Sequence, residues 1–352
     1  MDARGLLAAR QRSHRLTAPA ATIADAARHM LAVQSQDLLA GRWALGVRTA
    51  GSPTLRDVDA AFAEGILVRT WTMRGTLHII PARDVMWVLA VTAPRQRQQA
   101  ASRRRDLGID DAMLDVAWRA LEPAVRDGGC TRAEAFAVLE AAGIAPGGQR
   151  GVHLLFALSI DGRLCQAAVS GDGPIPREQR FVAMDEWVPE SARRDDPLAE
   201  LLVRYIDGHG PAGVRDFAWW SGLTLTAARD AVERAAHRVR EIDDGLYVAG
   251  RLSRGPVVAG GAEGSAFALP AFDEYYISYA DRTLVCDDDR LAAVGPGSNG
   301  MVRPTVIEGG RVTGTWSHAR AAHGAPPQLF GDRAVTPAVS AAMTRFAEFI
   351  AD

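Results

Sequence analysis

Three times in succession this chain runs from helix-forming segments into paired short β-rich runs, and that repeated order limits the folds open to it. In the first round, residues 4–12 and 22–33 read as helices. The second opens on Thr22 with Asp25 three residues later, where short side chains can accept from unsatisfied N–H groups. Ala26, Ala27, Met30, Leu31 and Val33 make its apolar side. Pro53-Thr54 starts another helix, ending near Gly65. Leu67–Trp71 and Thr76–Ile80 then form β-rich runs around Met73-Arg74-Gly75, a hairpin signal. After Pro81 a helix is expected to about Ala93, and Pro94 restarts one carrying Arg95, Arg97, Arg103, Arg104 and Arg105. Helices followed by a hairpin are the order of a winged helix.

The order recurs. Residues 110–126 read as helical, Thr131-Arg132-Ala133-Glu134 is a capping box, and Gly147-Gly148 leads into a helix through Ile160. Strands are expected around Arg163–Ala167 and Arg180–Met184. A third round after Pro197 places helices at 198–207, 213–220 and 225–236, then strands joined by Asp243-Asp244-Gly245. From about 255 the texture turns to Gly, Pro and β-rich runs, with a hairpin turn at Gly309-Gly310 and a closing helix at 337–350. The expected fold is α+β: winged-helix units at 1–108, 109–190 and 195–252, then a small β-barrel or β-sheet domain at 255–352. Units this small bury little alone, so they are expected to pack on one another.

Charge is distributed as unevenly as structure. Net charge is −2, yet residues 1–105 hold 16 arginines against 7 acids, and the remainder 24 against 35. A basic block on an acidic chain is the footprint of a polyanion-binding face; the alternative is that it docks on the acidic domains. All 40 basic residues are arginine, which a GC-rich genome also explains. Without lysine, Schiff-base catalysis and a phosphate-loop lysine are excluded. Cys130, Cys165 and Cys286 lack zinc-ligand spacing, no His-Glu-x-x-His occurs, and no metal or cofactor is expected. Neither a signal peptide nor a membrane helix is legible, so a cytoplasmic location without a membrane partner is expected.

Three stretches can carry chemistry. In Gln34-Ser35-Gln36-Asp37 the glutamines would lie about 200° apart on a helix but share a face when extended. For them to work together, the preceding helix must end by Gln34; otherwise they simply cap it. Trp71-Thr72-Met73-Arg74-Gly75-Thr76-Leu77-His78 puts Arg74 at a hairpin tip, able to reach a groove or phosphate. His78 shares a strand face with Thr76, as a DNA contact or as a structural histidine. Asp273 and Glu274, in Phe272-Asp273-Glu274-Tyr275, form either an acid/base pair or partners for arginines at an interface. Asp216-Phe217-Ala218-Trp219-Trp220-Ser221-Gly222-Leu223 reads as core packing ended by a glycine cap.

These pieces, with Asn299-Gly300, Arg303-Pro304-Thr305 and Gly314-Thr315-Trp316 in that order, span nearly the whole chain. Together they resemble the winged-helix DNA glycosylases typified by the azinomycin-resistance enzyme of antibiotic-producing actinomycetes and the bacterial interstrand-crosslink glycosylase. No single motif is specific; the ordered combination is. The resemblance implies three winged helices and a β-domain around a C-shaped cleft, with a hairpin of that domain probing the minor groove. It implies hydrolysis of the N-glycosidic bond of bulky N7-alkylguanine in double-stranded DNA, by a monomer, with Gln34 and Gln36 on the catalytic positions. Arg74, His78, Arg95, Arg97, Arg103 and Arg104 are then the expected DNA contacts. Ser35 stands where the family has an apolar residue. Gln36 stands where the crosslink-repair branch has Asp, which points to the antibiotic self-resistance branch. The competing class is a non-catalytic winged-helix regulator or a drug-sequestering protein.

Overall fold

Helices start where a short polar side chain can accept from the orphan N–H groups of a first turn. In the computed structural model, which describes residues 1–171, 175–188, 190–243, 245–250, 264–321 and 324–351, Asp2 caps α1 (Ala3–Ser13) and Thr22 caps α2 (Ile23–Met30). After β1 (Val33–Gln34), Asp37 caps α3 (Leu38–Gly46), a helix absent from the sequence reading. Then follow α4 (Leu55–Ala63), the hairpin β2 (Leu67–Met73) and β3 (Thr76–Pro81), α5 (Val85–Asp106), α6 (Asp111–Arg126), α7 (Arg132–Ala141) and α8 (Arg150–Ile160). Next come β4 (Leu164–Ser170), β5 (Glu178–Ala183), α9 (Met184–Trp187), α10 (Pro197–His209), β6 (Ala212–Gly213), α11 (Val214–Ser221), α12 (Leu225–Arg234), β7 (Val239–Asp243) and β8 (Leu246–Ala249). The chain closes with β9 (Ala266–Leu269), α13 (Glu274–Ile277), α14 (Asp288–Val294), β10 (Thr305–Glu308), β11 (Arg311–Thr315), α15 (His318–Ala321), β12 (Gln328–Leu329) and α16 (Pro337–Ile350).

Contacts group these elements into two units: Met1–Val58 with Leu198–Asp352, and Asp59–Pro197. The basic block 1–105 is therefore divided at Val58/Asp59. In the second unit, β3, β2, β4 and β5 lie side by side in an antiparallel sheet. Trp71 and Leu77 of the hairpin share one core with Ile109, Leu114, Leu121, Leu154 and Phe181. The boundary expected at 108–109 is for that reason no break in contacts. Thr131 and Glu134 make both bonds of the capping box. The helix restart expected at Pro94 does not occur: the proline sits exposed inside a continuous α5. Proline removes one intrahelical bond, and the buried Val88, Leu89, Thr92, Ala93 and Gln96 hold the turns around it. Gln149, ahead of α8, has φ 74° and no capping bond of its own. Gln149→Gly is expected to stabilise this unit by about 0.5–1 kcal/mol by relieving the left-handed backbone, read as a higher urea midpoint.

In the first unit, α10, β6, α11, α12, β7 and β8 follow in order, and the strands pair as β6-β8-β7. The β7–β8 turn expected at Asp243-Asp244-Gly245 includes Asp244, and the boundary expected at 252–255 falls within 251–263; both lie outside the described residues. The C-terminal strands form an open sheet, β12-β11-β10-β9, so of the two expectations for 255–352 the sheet holds and the closed barrel does not. The two-residue β12 ends the sheet rather than returning to β9. α3 fits against α16: Trp43 lies 5.0 Å from the Phe349 ring and 5.4 Å from that of Phe346. A Cβ on Gly46 would fall 2.7 Å from Phe349, so glycine there permits the approach. Trp43 Nε1 donates to Ala268 O at 2.7 Å, and Arg345 donates to Thr49 O at 2.6 Å. The first 58 residues are thus bound to β9 and α16 by polar contacts as well as by rings.

Candidate active site

The Gln34-Ser35-Gln36 segment is non-helical because α2 ends early: Val33–Gln34 is a short strand and the chain bends at Gln36. Leu31 takes φ 62°, a conformation a leucine adopts only under constraint, and the backbone leaves the helix there. Gln34 is 6% exposed, Ser35 fully buried and Gln36 exposed. The helix therefore ends before Gln34, the condition set above for the two glutamines to work together, and their side chains differ in burial. Asp37 then starts α3, its Oδ1 accepting from Ala40 N–H at 2.8 Å.

Behind the segment lies a buried polar network built from residues far along the chain. Gln34 N–H donates to Glu274 Oε1 at 2.7 Å. Glu274 Oε2 accepts from Trp220 Nε1 at 3.0 Å and from the Ser278 hydroxyl, and His209 Nε2 lies 3.5 Å away. Asp273 meets Arg48 in a bidentate pair, at 2.7 and 2.8 Å, and caps α13 through Tyr275 N–H at 2.9 Å. The arginine partner expected for Asp273 is therefore present, and Arg48 is a residue the sequence reading missed. It carries no local signal, lying 225 positions from its partner. The aromatic stretch around Trp220 proves to be core, as expected, with Gly222 as the left-handed cap. Trp219 departs from this: it is 42% exposed and donates to Ile277 O at 2.8 Å.

Three histidines of this unit, His14, His29 and His318, are held neutral. Burial, with His209, Arg48 and Arg10 nearby, pushes His14 well below its ordinary value. His29 is lowered to about 4 by burial and Arg15, against Asp207. His318, stacked on Phe346 with a ring separation of 5.3 Å, is lowered to about 4 by burial, against Asp37. A cavity of about 260 Å³ is lined by Arg303, Thr315, Trp316, Ser317, Arg320 and Gln328. Arg303 and Arg320 are exposed beside it.

The remaining expected contacts belong to the second unit. Arg74 sits at the β2–β3 turn with φ 52° and is partly exposed. His78 has no exposed surface: its Nδ1 lies 3.0 Å from Thr72 Oγ1 and 3.1 Å from Thr76 O. In this conformation it holds the hairpin rather than facing solvent, the structural alternative weighed above. Gln96 of α5 ties to the same hairpin, donating to Thr72 O at 2.6 Å and accepting from Gly75 N–H. On α5, Arg95 donates to Gln98, Arg97 pairs with Asp161 at 2.7 Å, Arg103 donates to Gln149, and Arg104 pairs with Asp111 at 2.9 Å. Exposed pairs of this kind contribute little to stability.

The three cysteines are buried and unbridged, and burial raises Cys130 and Cys286 to about 11, which leaves them as thiols. Among the described residues no group of histidines, cysteines and acids has the arrangement of a metal site, and no helix is long and apolar enough to cross a membrane.

A non-helical Gln-x-Gln, its first backbone N–H held by a buried carboxylate, thus sits among helices and open antiparallel sheets. The chain belongs to the AlkZ-like DNA glycosylase family, whose profile matches residues 27–349. It is similar to the interstrand DNA cross-link repair glycosylase of Streptomyces sahachiroi, 24% identical over 326 residues, which are 85% of this chain and 82% of that protein. In fold it is similar to the solved structure of the Streptomyces sahachiroi DNA glycosylase AlkZ, with a TM-score of 0.81 and 20% identity over 100% of this chain and 97% of the other.

Proposed function

We propose that this chain is a monofunctional glycosylase that hydrolyses the N-glycosidic bond of bulky N7-alkylguanine, giving self-resistance to a DNA-alkylating natural product. The observation that carries the reading is the non-helical Gln34-Ser35-Gln36 segment with Gln34 N–H fixed on Glu274. N7-alkylated guanine is already cationic and leaves without a strong acid. What remains is to hold a water against C1′ and to tolerate an oxocarbenium-like transition state. A glutamine carbonyl accepts a hydrogen bond from that water, and its amide donates to substrate or backbone. Glutamine is no general base, so positioning and preorganised dipoles supply the rate. With no lysine in the sequence, strand cleavage through a lysine Schiff base has no nucleophile.

In this reading residues 1–108, 109–190 and 195–252 are winged-helix units, and with the sheet at 255–352 they frame a C-shaped cleft in a monomer. Arg74, Arg95, Arg97, Arg103 and Arg104 exchange their present partners for backbone phosphates, with His78 bracing the hairpin behind Arg74. An open cleft suits a bulky adduct better than a snug flipped-base pocket. The Streptomyces relative is named for cross-link repair, so unhooking of interstrand crosslinks is included among the proposed reactions.

The test is incubation with duplex DNA bearing an N7-alkylguanine, followed by heating in alkali. Strand breaks at the adduct are expected, with a rate about 10²–10³-fold lower in Gln34→Ala/Gln36→Ala. Tight binding without abasic sites across a panel of adducts would overturn the reading in favour of a DNA-binding regulator or a drug-sequestering protein.

A further inference from the structure

Glu274 has no exposed surface, and its two oxygens face different ways. Oε1 accepts from the Gln34 backbone, while Oε2 is held by Trp220 Nε1 and the Ser278 hydroxyl. All three groups donate, and an ionised carboxylate only accepts, so the match depends on the carboxylate. Trp220 belongs to α11 and Ser278 follows α13, so Oε2 is fixed from two sides before Oε1 reaches β1. Asp273 adds a second anchor one residue earlier: pinned by buried Arg48, it caps the turn that carries Glu274. β1 is only two residues long, between a helix that stops at Met30 and one that starts at Leu38. A charge-assisted bond to its backbone is a strong restraint on so short a strand.

We infer that Glu274 is a positioning residue for hydrolysis: it sets the backbone of Gln34, and through it the aim of the Gln34 amide at the water. This rests on the catalytic reading of Gln34 given above. It assigns a role to one of the two acidic residues of the Phe272-Asp273-Glu274-Tyr275 stretch, without requiring contact with substrate. In Glu274→Gln the amide offers an N–H₂ to a neighbour that itself donates, so one of the bonds must open. Displacement of a water-holding group by about 1 Å is enough to lose on the order of 10²-fold in rate.

The experiment is single-turnover hydrolysis of an N7-alkylguanine duplex at saturating protein, with affinity read separately by fluorescence anisotropy. Glu274→Gln is expected to slow hydrolysis by about 10²-fold with affinity unchanged within about twofold. In a Gln34→Ala background the same change is expected to add no more than about twofold, because the group it aims is already gone. Glu274→Asp retains the charge but is one methylene too short to hold both sides. It carries the same comparison should the glutamine variant lack the wild-type circular dichroism spectrum. An equal fractional loss in both backgrounds, or a wild-type rate in a Glu274 variant, overturns the inference. A wild-type rate for Gln34→Ala overturns the catalytic reading itself, and this inference with it.

Discussion

Arg48→Ala is expected to destabilise the unit formed by Met1–Val58 and Leu198–Asp352 by about 3–5 kcal/mol, because it strands a buried carboxylate. Both members of the pair are enclosed, Arg48 with no exposed surface and Asp273 with 1%. The guanidinium makes two parallel bonds to Asp273, and Nη1 donates also to Ala44 O at 2.9 Å. Removing it leaves the Asp273 carboxylate with Tyr275 N–H as its one other described hydrogen bond, in surroundings that solvate charge poorly. An apolar pair of similar volume, Arg48→Met with Asp273→Leu, is expected to cost far less than the two single changes summed, since no charge is then left behind. Urea denaturation followed by tryptophan fluorescence reads this directly, as Trp43, Trp220 and Trp316 all lie in the affected unit. A loss below about 1 kcal/mol for Arg48→Ala would show that the site relaxes to admit water, and would sink the argument.

Acid is expected to weaken the same unit between about pH 6.5 and pH 4. His14, His29 and His318 are held neutral in the folded chain, mainly by burial, the latter two to about 4. In the unfolded chain each takes up a proton near pH 6.5. Below that value the unfolded state binds more protons, so stability is complete above about 6.5 and is lost as pH falls toward 4. Asp207 beside His29 and Asp37 beside His318 oppose the effect without cancelling it. The combined loss is expected to be on the order of a few kcal/mol, read as a falling urea midpoint at pH 7.5, 6 and 5. His318→Phe keeps a ring against Phe346 and Trp316 and removes one site of proton uptake, so its midpoint is expected to fall less steeply. A midpoint that does not move between pH 7.5 and 5 contradicts the prediction.

Local features of the fold were legible in the sequence because local chemistry makes them. The Thr131–Glu134 capping box, the Arg74-Gly75 turn and the glycine cap after α11 each need only neighbouring residues. Pro94 misled because a proline's cost is also local, whereas the helix continues on the strength of core packing around it. α3 was missed because Asp37 read as the tail of the glutamine motif rather than as a cap. The two-residue β12 has no pattern to read. For the candidate site, the glutamines and the acidic Asp273-Glu274 pair stood out by residue type, and their connection did not. Gln34 and Glu274 lie 240 positions apart, and no periodicity or spacing links them. Charge and packing group the chain differently: the arginine excess spans residues 1–105, while contacts divide that stretch at Val58/Asp59.

That division has a consequence for how the protein is made. A ribosome adds about 5–20 residues per second, so roughly ten to fifty seconds separate the synthesis of Gln34 from that of Glu274. The unit at 59–197 is complete in that interval and can fold on the growing chain. The first 58 residues must wait for the sheet at the far end before their buried polar groups find partners. A nascent chain therefore carries its arginine-rich helix early, while the bond that joins Gln34 to Glu274 is among the last that can form.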